Sequence, residues 1–291
     1  MEGWHRWARA TLGRAVEPRP AAREGVEARV WQLCAEGQVI AYLKQHRVSD
    51  KWRRERAILE QLARPPAAPV PVVLGAEPAQ RVLLLSVLDG APAEAVRTTA
   101  AQRRALHTQA GRLRRRLDAV PVDEPDPTPL PEAIARRQRA WGERARPHLP
   151  AALLARVRRA FEVACFEGQA RRWCHRDLAP HNWLYDPGPG GPRLGVVDFG
   201  QARPDDWLVD VLKLWDRSWV QQPDLADAFW AGYGRRLDPA EVHRLRQLAL
   251  LHGLATATWG HRHGDRALAE HGHATLERAL GEVEADAEAD A

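Results

Sequence analysis

Three cysteines in 291 residues, Cys34, Cys165 and Cys174, are too few and too scattered for a disulfide framework. None belongs to a Cys-x-x-Cys pair that would indicate a zinc site, so reduced thiols in a cytoplasm fit them best. No apolar run approaches the roughly 20 residues that cross a bilayer. The opening MEGWHRWARATLGRA lacks the continuous apolar core of a secretory signal. We therefore expect a cytoplasmic protein with no membrane partner. A Walker-type loop, G-x-x-x-x-G-K-[ST], is also missing, and GPGGP at 188–192 precedes a strand rather than a helix, which makes it a turn. No internal repeat occurs. Lysine is scarce: of 43 basic residues only Lys44, Lys51 and Lys213 are lysines.

What is present is ordinary for a globular chain, with 45% apolar and 28% charged residues. The length suffices for one large domain or two lobes with a substantial core. A net charge of +5 and a pI near 9.5 raise a nucleic-acid partner. The arginine runs at 114–116, 136–139 and 158–159, however, lie in segments with helical apolar spacing, where solvated faces look like this. So much arginine beside abundant alanine and proline also reads as a GC-rich coding sequence, and no nucleic acid is expected. The histidines at 252, 261, 263, 271 and 273 match no compact metal-ligand set and read as solvated helix residues.

Trp4, Trp7, Ala8 and Leu12 share one face of a short first helix. Residues 25–44 read as two strands around a Glu36-Gly37 turn, the second ending at Lys44. A helix capped by Ser49 or Asp50 follows, reaching Leu62. RVLLLSVL at 81–88 is a buried strand, and Asp89-Gly90 breaks it. Beyond that point the pattern is mostly helical, with a proline- and acid-rich loop at 120–132, helical stretches at 131–145 and 150–172, and four helical segments in 205–282. The shift predicts a first lobe of residues 1–88, a second of 89–282, and a disordered acidic tail at 283–291.

Two short motifs carry chemistry. Residues 175–182 read His-Arg-Asp-Leu-Ala-Pro-His-Asn, and Asp-Phe-Gly follows at 198–200. The first matches the catalytic-loop pattern H-R-D-L-x-x-x-N and the second the metal-binding triplet of the same set. On these residues the chain resembles the protein-kinase-like superfamily. Pro180 and Asn182 make it similar to the branch of the aminoglycoside phosphotransferases and choline kinases, whose loop usually reads H-G-D-x-x-P-x-N. The resemblance covers about residues 25–215. Arg176 and the run DFGQAR look instead like a protein kinase, and no G-x-G-x-x-G precedes Lys44. Pro204 to Val211, PDDWLVDV, leads almost directly into a helix where a protein kinase would carry its activation segment; it resembles the D-P-x-x-D-L-A stretch of the small-molecule kinases.

The resemblance implies an α+β, bilobal, protein-kinase-like fold: a small β-rich first lobe with one main helix and a larger, mainly helical second lobe. It implies that Asp177 orients and deprotonates an acceptor hydroxyl, and that Asn182 and Asp198 hold Mg2+ with their oxygens. Such a site needs a strand lysine paired with a helix glutamate. Lys44 is the strand lysine, and Glu55, eleven residues on, shares the apolar face of Ile58, Leu59 and Leu62, where a carboxylate needs a partner. Leu85 would line the nucleotide pocket, and the backbone of Ser86, Val87 and Leu88 would receive the purine. The expected activity is transfer of the γ-phosphoryl group of ATP or GTP to a hydroxyl of a small molecule, a natural-product antibiotic by family resemblance, by a monomer or homodimer. Asp123, Glu124, Asp126, Asp205 and Asp206 could offer an acidic cleft to a cationic aminoglycoside, or could be solvated loop acids. A metabolite, lipid-linked sugar or protein acceptor stays open, as does a non-catalytic pseudokinase that only binds.

Overall fold

The computed structural model describes residues 3–21, 28–65, 67–123 and 126–289. Gly25, Glu124 and the last two residues of the expected tail lie outside them. In chain order the elements are α1 (Gly3–Leu12), β1 (Glu17–Pro20), β2 (Ala28–Ala35), β3 (Gln38–His46), α2 (Ser49–Leu62), β4 (Val73–Glu77), β5 (Val82–Leu85) and β6 (Ala91–Pro92). There follow α3 (Ala100–Asp118), α4 (Leu130–Ala145), α5 (Ala151–Ala160), β7 (Arg172–Cys174), β8 (Trp183–Asp186) and β9 (Arg193–Val196). The last are β10 (Arg203–Asp205), α6 (Val209–Lys213), α7 (Asp224–Tyr233), α8 (Pro239–His263) and α9 (Arg266–Ala289).

These elements form two compact units. One comprises Met1–Pro121, Trp173–Arg203 and Asp224–Gly234; the other Val122–Arg172, Pro204–Pro223 and Arg235–Ala291. Their limits do not coincide with the expected division after Leu88: the first unit runs on to Pro121, taking in α3, and also includes β8, β9 and α7.

The first unit contains a five-stranded antiparallel sheet in the order β1-β2-β3-β5-β4. β2 and β3 form the expected hairpin, turning at Glu36 and Gly37, both at positive φ. The second strand runs past Lys44 to His46. Trp4 and Ala8 of α1 are buried against Leu33, Leu43, Val82 and Leu84, with Trp7 and Leu12 packed alongside, so α1 lies on the sheet as its apolar face predicts. Helix α2 begins one residue earlier than expected. Val48 occupies its N-cap with no side-chain bond, and Ser49 and Asp50 fall inside the first turn. Its buried face is Trp52, Glu55, Ile58, Leu59 and Leu62, and the Trp52 indole donates to the Val82 carbonyl at 3.0 Å. The strand expected over 81–88 stops at Leu85. Ser86 turns its N–H to the Val72 carbonyl (2.9 Å), and its hydroxyl accepts from the Val72 N–H (2.9 Å).

The second unit is helical. α8 opens with a capping box of Asp238 and Glu241 and closes on Gly264, in the left-handed region. α5 ends at Ala160, twelve residues short of the expected stretch to 172, because Phe161 is extended. The buried Gln247 side chain takes over there, donating to the Ala160 carbonyl (3.2 Å) and accepting from the Glu162 N–H (2.9 Å). Such a bond to a buried helix end contributes about 1 kcal/mol. The expected acidic tail is instead helical as far as Ala289, where it continues α9.

Candidate active site

In a strand, residues two apart share a face, which puts Lys44 and His46 of β3 on the same side. α2 presents Glu55 to both. Lys44 Nζ donates to Glu55 Oε1 at 2.9 Å, and His46 Nε2 lies 2.8 Å from Glu55 Oε2, so each carboxylate oxygen has its own neighbour. Lys44, His46 and Glu55 are all buried. Burial by itself would lower the Lys44 pKa, but Glu55 and then Asp198 outweigh it and hold the ammonium above its ordinary value. Burial likewise opposes ionisation of Glu55, yet Lys44 and His46 bring its pKa below the usual carboxylate range. The cluster is therefore a charged one.

Lys44 also donates to Asp198 Oδ1, at 2.7 Å. That bond spans 154 residues of sequence and ties the strand lysine to the Asp-Phe-Gly triplet. The Asp198 carboxylate remains 59% exposed. Attraction to Lys44 lowers its pKa to about 2, so it is ionised at any physiological pH. Gly200 donates its N–H to the same oxygen (3.3 Å). A side chain at Gly200 would begin 3.1 Å from Lys44 Nζ and 3.2 Å from Asp198 Oδ1, so the ion cluster would have to give by a few tenths of an ångström to admit it.

The loop 175–182 is joined to the same strand end by two bonds, and two more brace the loop itself. β8 and β9 pair antiparallel with Trp183 opposite Val196, and one step further the Val197 N–H donates to the Asn182 carbonyl (3.0 Å). The His175 ring is buried, its Nε2 3.0 Å from the Val197 carbonyl and its Nδ1 accepting from the Asp177 N–H (3.2 Å). These partners fix the neutral tautomer, with the proton on Nε2. Asn182 Nδ2 donates to the Asp177 carbonyl at 2.9 Å. A carbonyl only accepts, so the amide nitrogen must face it, and Oδ1 points the other way. The ribbon register thus delivers Asp177, Asn182 and Asp198 to one end of one hairpin.

Position 176 has φ 66°, a conformation that favours glycine. The glycine usual in the small-molecule branch suits this backbone; an arginine there costs about 1 kcal/mol. Asp198 is likewise left-handed, at φ 63°.

Sequence reasoning missed two groups. His46 could have been found from strand alternation with Lys44. His181 stands four residues after Asp177, its Nε2 3.1 Å from Asp177 Oδ1. Leu85 is buried at the end of β5, Val87 is exposed, and the Ser86 N–H is already taken by Val72. The acidic cleft fares worse. Asp205 is buried and held bidentately by Arg137 (2.7 and 2.9 Å), and Asp206 is buried 3.3 Å from Arg244. These are neither solvated loop acids nor acids open to a cationic ligand. Asp126 is exposed, caps the Thr128 N–H at 3.0 Å and lies 3.9 Å from Arg171.

Residues 19–248 match the model of the phosphotransferase enzyme family APH. The chain belongs to this family. No curated protein matches it by sequence. Among solved structures, the GDP and kanamycin complex of APH(2")-IIIa aligns with a TM-score of 0.72 at 18% identity, covering 96% of this chain and 98% of the other. The apo form of a thermostable mutant of the aminoglycoside phosphotransferase APH(4)-Ia gives 0.72 at 15% identity, covering 96% and 98%. The streptomycin–ATP–APH(2")-IIa ternary complex gives 0.66 at 13%, covering 97% and 98%. This member of the phosphotransferase enzyme family thus has the α+β kinase-like fold, with an N-terminal β-sheet region and a helical C-terminal region. No helix among the described residues is long and apolar enough to cross a membrane.

Proposed function

We propose that the chain is a Mg2+-dependent kinase that moves the γ-phosphoryl group of ATP or GTP onto a hydroxyl of a small molecule, a natural-product antibiotic, in a resistance or self-protection role. The observation that carries this reading is the buried Lys44–Glu55 pair closing on Asp198, with the Asp177–Asn182 loop bonded to the same strand end. Phosphoryl transfer asks for positioning and charge neutralisation more than covalent chemistry, and the cluster supplies both. Lys44, kept cationic by Glu55, clamps the nucleotide phosphates, and His46 holds the second oxygen of Glu55. Asp177 accepts the hydrogen bond of the acceptor hydroxyl and takes its proton, with His181 orienting the carboxylate.

The residues fit a magnesium ion. Asn182 Oδ1 is turned away from the backbone that its amide nitrogen binds, and the largely exposed, ionised Asp198 offers a second hard oxygen. Bound Mg2+ supplies Lewis-acid neutralisation of the phosphate oxygens. The purine sits beside Leu85 and meets the Ser86 carbonyl and the Val87 and Leu88 backbone, since the Ser86 N–H is engaged. Relatives of the same fold bind GDP and kanamycin or ATP and streptomycin, which supports both the donor and the acceptor class.

A coupled turnover assay tests this, using ATP or GTP, Mg2+ and a panel of hydroxyl-bearing antibiotics and metabolites, with mass spectrometry for the added phosphate. One acceptor gaining phosphate with wild type, but not with Asp198→Ala, is the expected result. Nucleotide binding without transfer to any acceptor would favour a binding module, and failure to bind nucleotide would overturn the reading.

A further inference from the structure

Helix α3 carries none of the catalytic motifs, yet one of its faces holds the elements that do. Gln102, Gln109 and Arg116 stand seven residues apart, two turns of helix, and so share that face. The Gln102 amide donates to the Tyr185 hydroxyl of β8 at 2.8 Å. Arg116 donates to the carbonyls of Leu62 (3.1 Å) and Arg64, at and just past the end of α2, the helix of Glu55. The support is itself fixed. A Cβ on Gly111 would lie 2.1 Å from the Phe229 carbonyl oxygen, and one on Gly232 would lie 1.8 Å from that of Thr108, so α3 and α7 meet at backbone distance.

Gln109, in the middle of the face, reaches β9, the edge of the sheet β6-β8-β9. The Val197 N–H turns inward to the Asn182 carbonyl, so antiparallel alternation turns the N–H groups of Val196 and Leu194 outward. Val196 donates to the Pro69 carbonyl (2.8 Å) and Leu194 to Gln109 Oε1 (3.0 Å). Gln109 Nε2 donates to the Pro192 carbonyl (2.8 Å) and to Ala105 on its own helix (3.2 Å). Two carbonyls at the nitrogen and one N–H at the oxygen leave the amide a single orientation. One side chain thus does for this edge what a neighbouring strand would do. We propose that Gln109 is a positioning residue for phosphoryl transfer: by fixing β9 it sets Asp198, two residues beyond the strand, against the Lys44–Glu55 pair. It acts through Asp198. A magnesium ion held by the oxygens of Asn182 and Asp198 demands near-ideal octahedral geometry at about 2.0–2.1 Å, so a strand end free to shift binds it less well.

This inference rests on the phosphotransfer reading, and its test separates the two. Mn2+, standing in for Mg2+, is titrated by electron paramagnetic resonance into protein saturated with a non-hydrolysable ATP or GTP analogue. The Mg2+ dependence of turnover is measured beside it. Gln109→Met is unbranched and of similar length but can hold neither Leu194 nor Pro192. It should weaken Mn2+ binding by about tenfold, the lower end of what outer-shell partners are worth. The Mg2+ concentration for half-maximal rate should rise by the same factor, with kcat at saturating Mg2+ within about threefold of wild type. Arg104→Ala, on the same helix and paired with the exposed Asp224, should change neither. Mn2+ binding by Gln109→Met as tight as in wild type would make Gln109 merely structural and overturn the inference. Wild type that binds no metal–nucleotide would overturn the phosphotransfer reading, and this inference with it. Should Gln109→Met fail to fold, hydrogen exchange on the nucleotide-free wild type decides: the Leu194 amide must be protected as well as that of Val196, and fast exchange at Leu194 would overturn the proposal.

Discussion

Two aspartates, one in each unit, show how the same chemistry serves opposite ends. Asp198 and Asp216 are both paired with cations and both have depressed pKa values. Asp198 has one oxygen bonded to Lys44 at 2.7 Å and a carboxylate still 59% exposed. The Asp216 carboxylate is fully covered. It accepts from Thr275 (2.7 Å) and Arg278 (2.5 Å) on Oδ1, and has His271 at 2.7 Å and His252 at 3.6 Å on Oδ2. Burial opposes its ionisation, but His252, His271 and Thr275 more than compensate, and its pKa falls well below the carboxylate range. A saturated, covered carboxylate has nothing left to offer a ligand and can only hold helices together. A partly satisfied, exposed one can take a cation.

That contrast can be broken from either side. Asp198→Ala should cost about a thousandfold or more in phosphoryl transfer, some 4 kcal/mol in the barrier, with little change in the urea midpoint. Asp216→Ala should do the reverse. Leaving Arg278 and His271 without their anion should cost about 3 kcal/mol of stability in urea denaturation, while nucleotide affinity in the folded fraction stays within about twofold of wild type. If Asp216→Ala abolished transfer at unchanged stability, the distinction would fail.

His46 sharpens the comparison inside the first unit. His46→Leu should raise the nucleotide KM by about tenfold, roughly 1.4 kcal/mol, with a smaller effect on kcat. His46→Gln, which keeps a donor near Glu55 Oε2, should recover most of the loss.

The smallest expected effect is a pH slope. His107 is buried beside Trp183, and burial lowers its pKa to about 4. In the unfolded chain it titrates near 6.5. Between these values the unfolded state binds more protons, so the contribution of neutral His107 is complete above about pH 6.5 and is lost as pH falls toward about 4. Urea denaturation at pH 7 and pH 5 should differ by about 1–2 kcal/mol from this source, and His107→Leu should flatten the slope.

Most of the site could be read from short spacings. The loop 175–182, the triplet 198–200 and the Lys44–Glu55 pair are each local patterns, and their joint demand for one cleft made the assignment specific. The hairpin at Glu36-Gly37 and the apolar face of α1 were equally local. What escaped depended on contacts made far along the chain. α5 stops where Gln247 reaches its end, 87 residues away. The roles of Asp205 and Asp206 are set by Arg137 and Arg244, and no pattern near them shows it. The acidic end of α9 looked like a tail because composition was all there was to judge it by. His46 was within reach and overlooked, since its meaning appears only once Glu55 is placed opposite it.

The most direct test is a single-turnover experiment with γ-labelled nucleotide, Mg2+ and a competent acceptor, comparing wild type with Asp177→Asn at matched nucleotide saturation. The site as described requires nucleotide affinity to be unchanged and phosphate transfer to fall by about a thousandfold or more. Transfer at the wild-type rate by the Asn variant would contradict it.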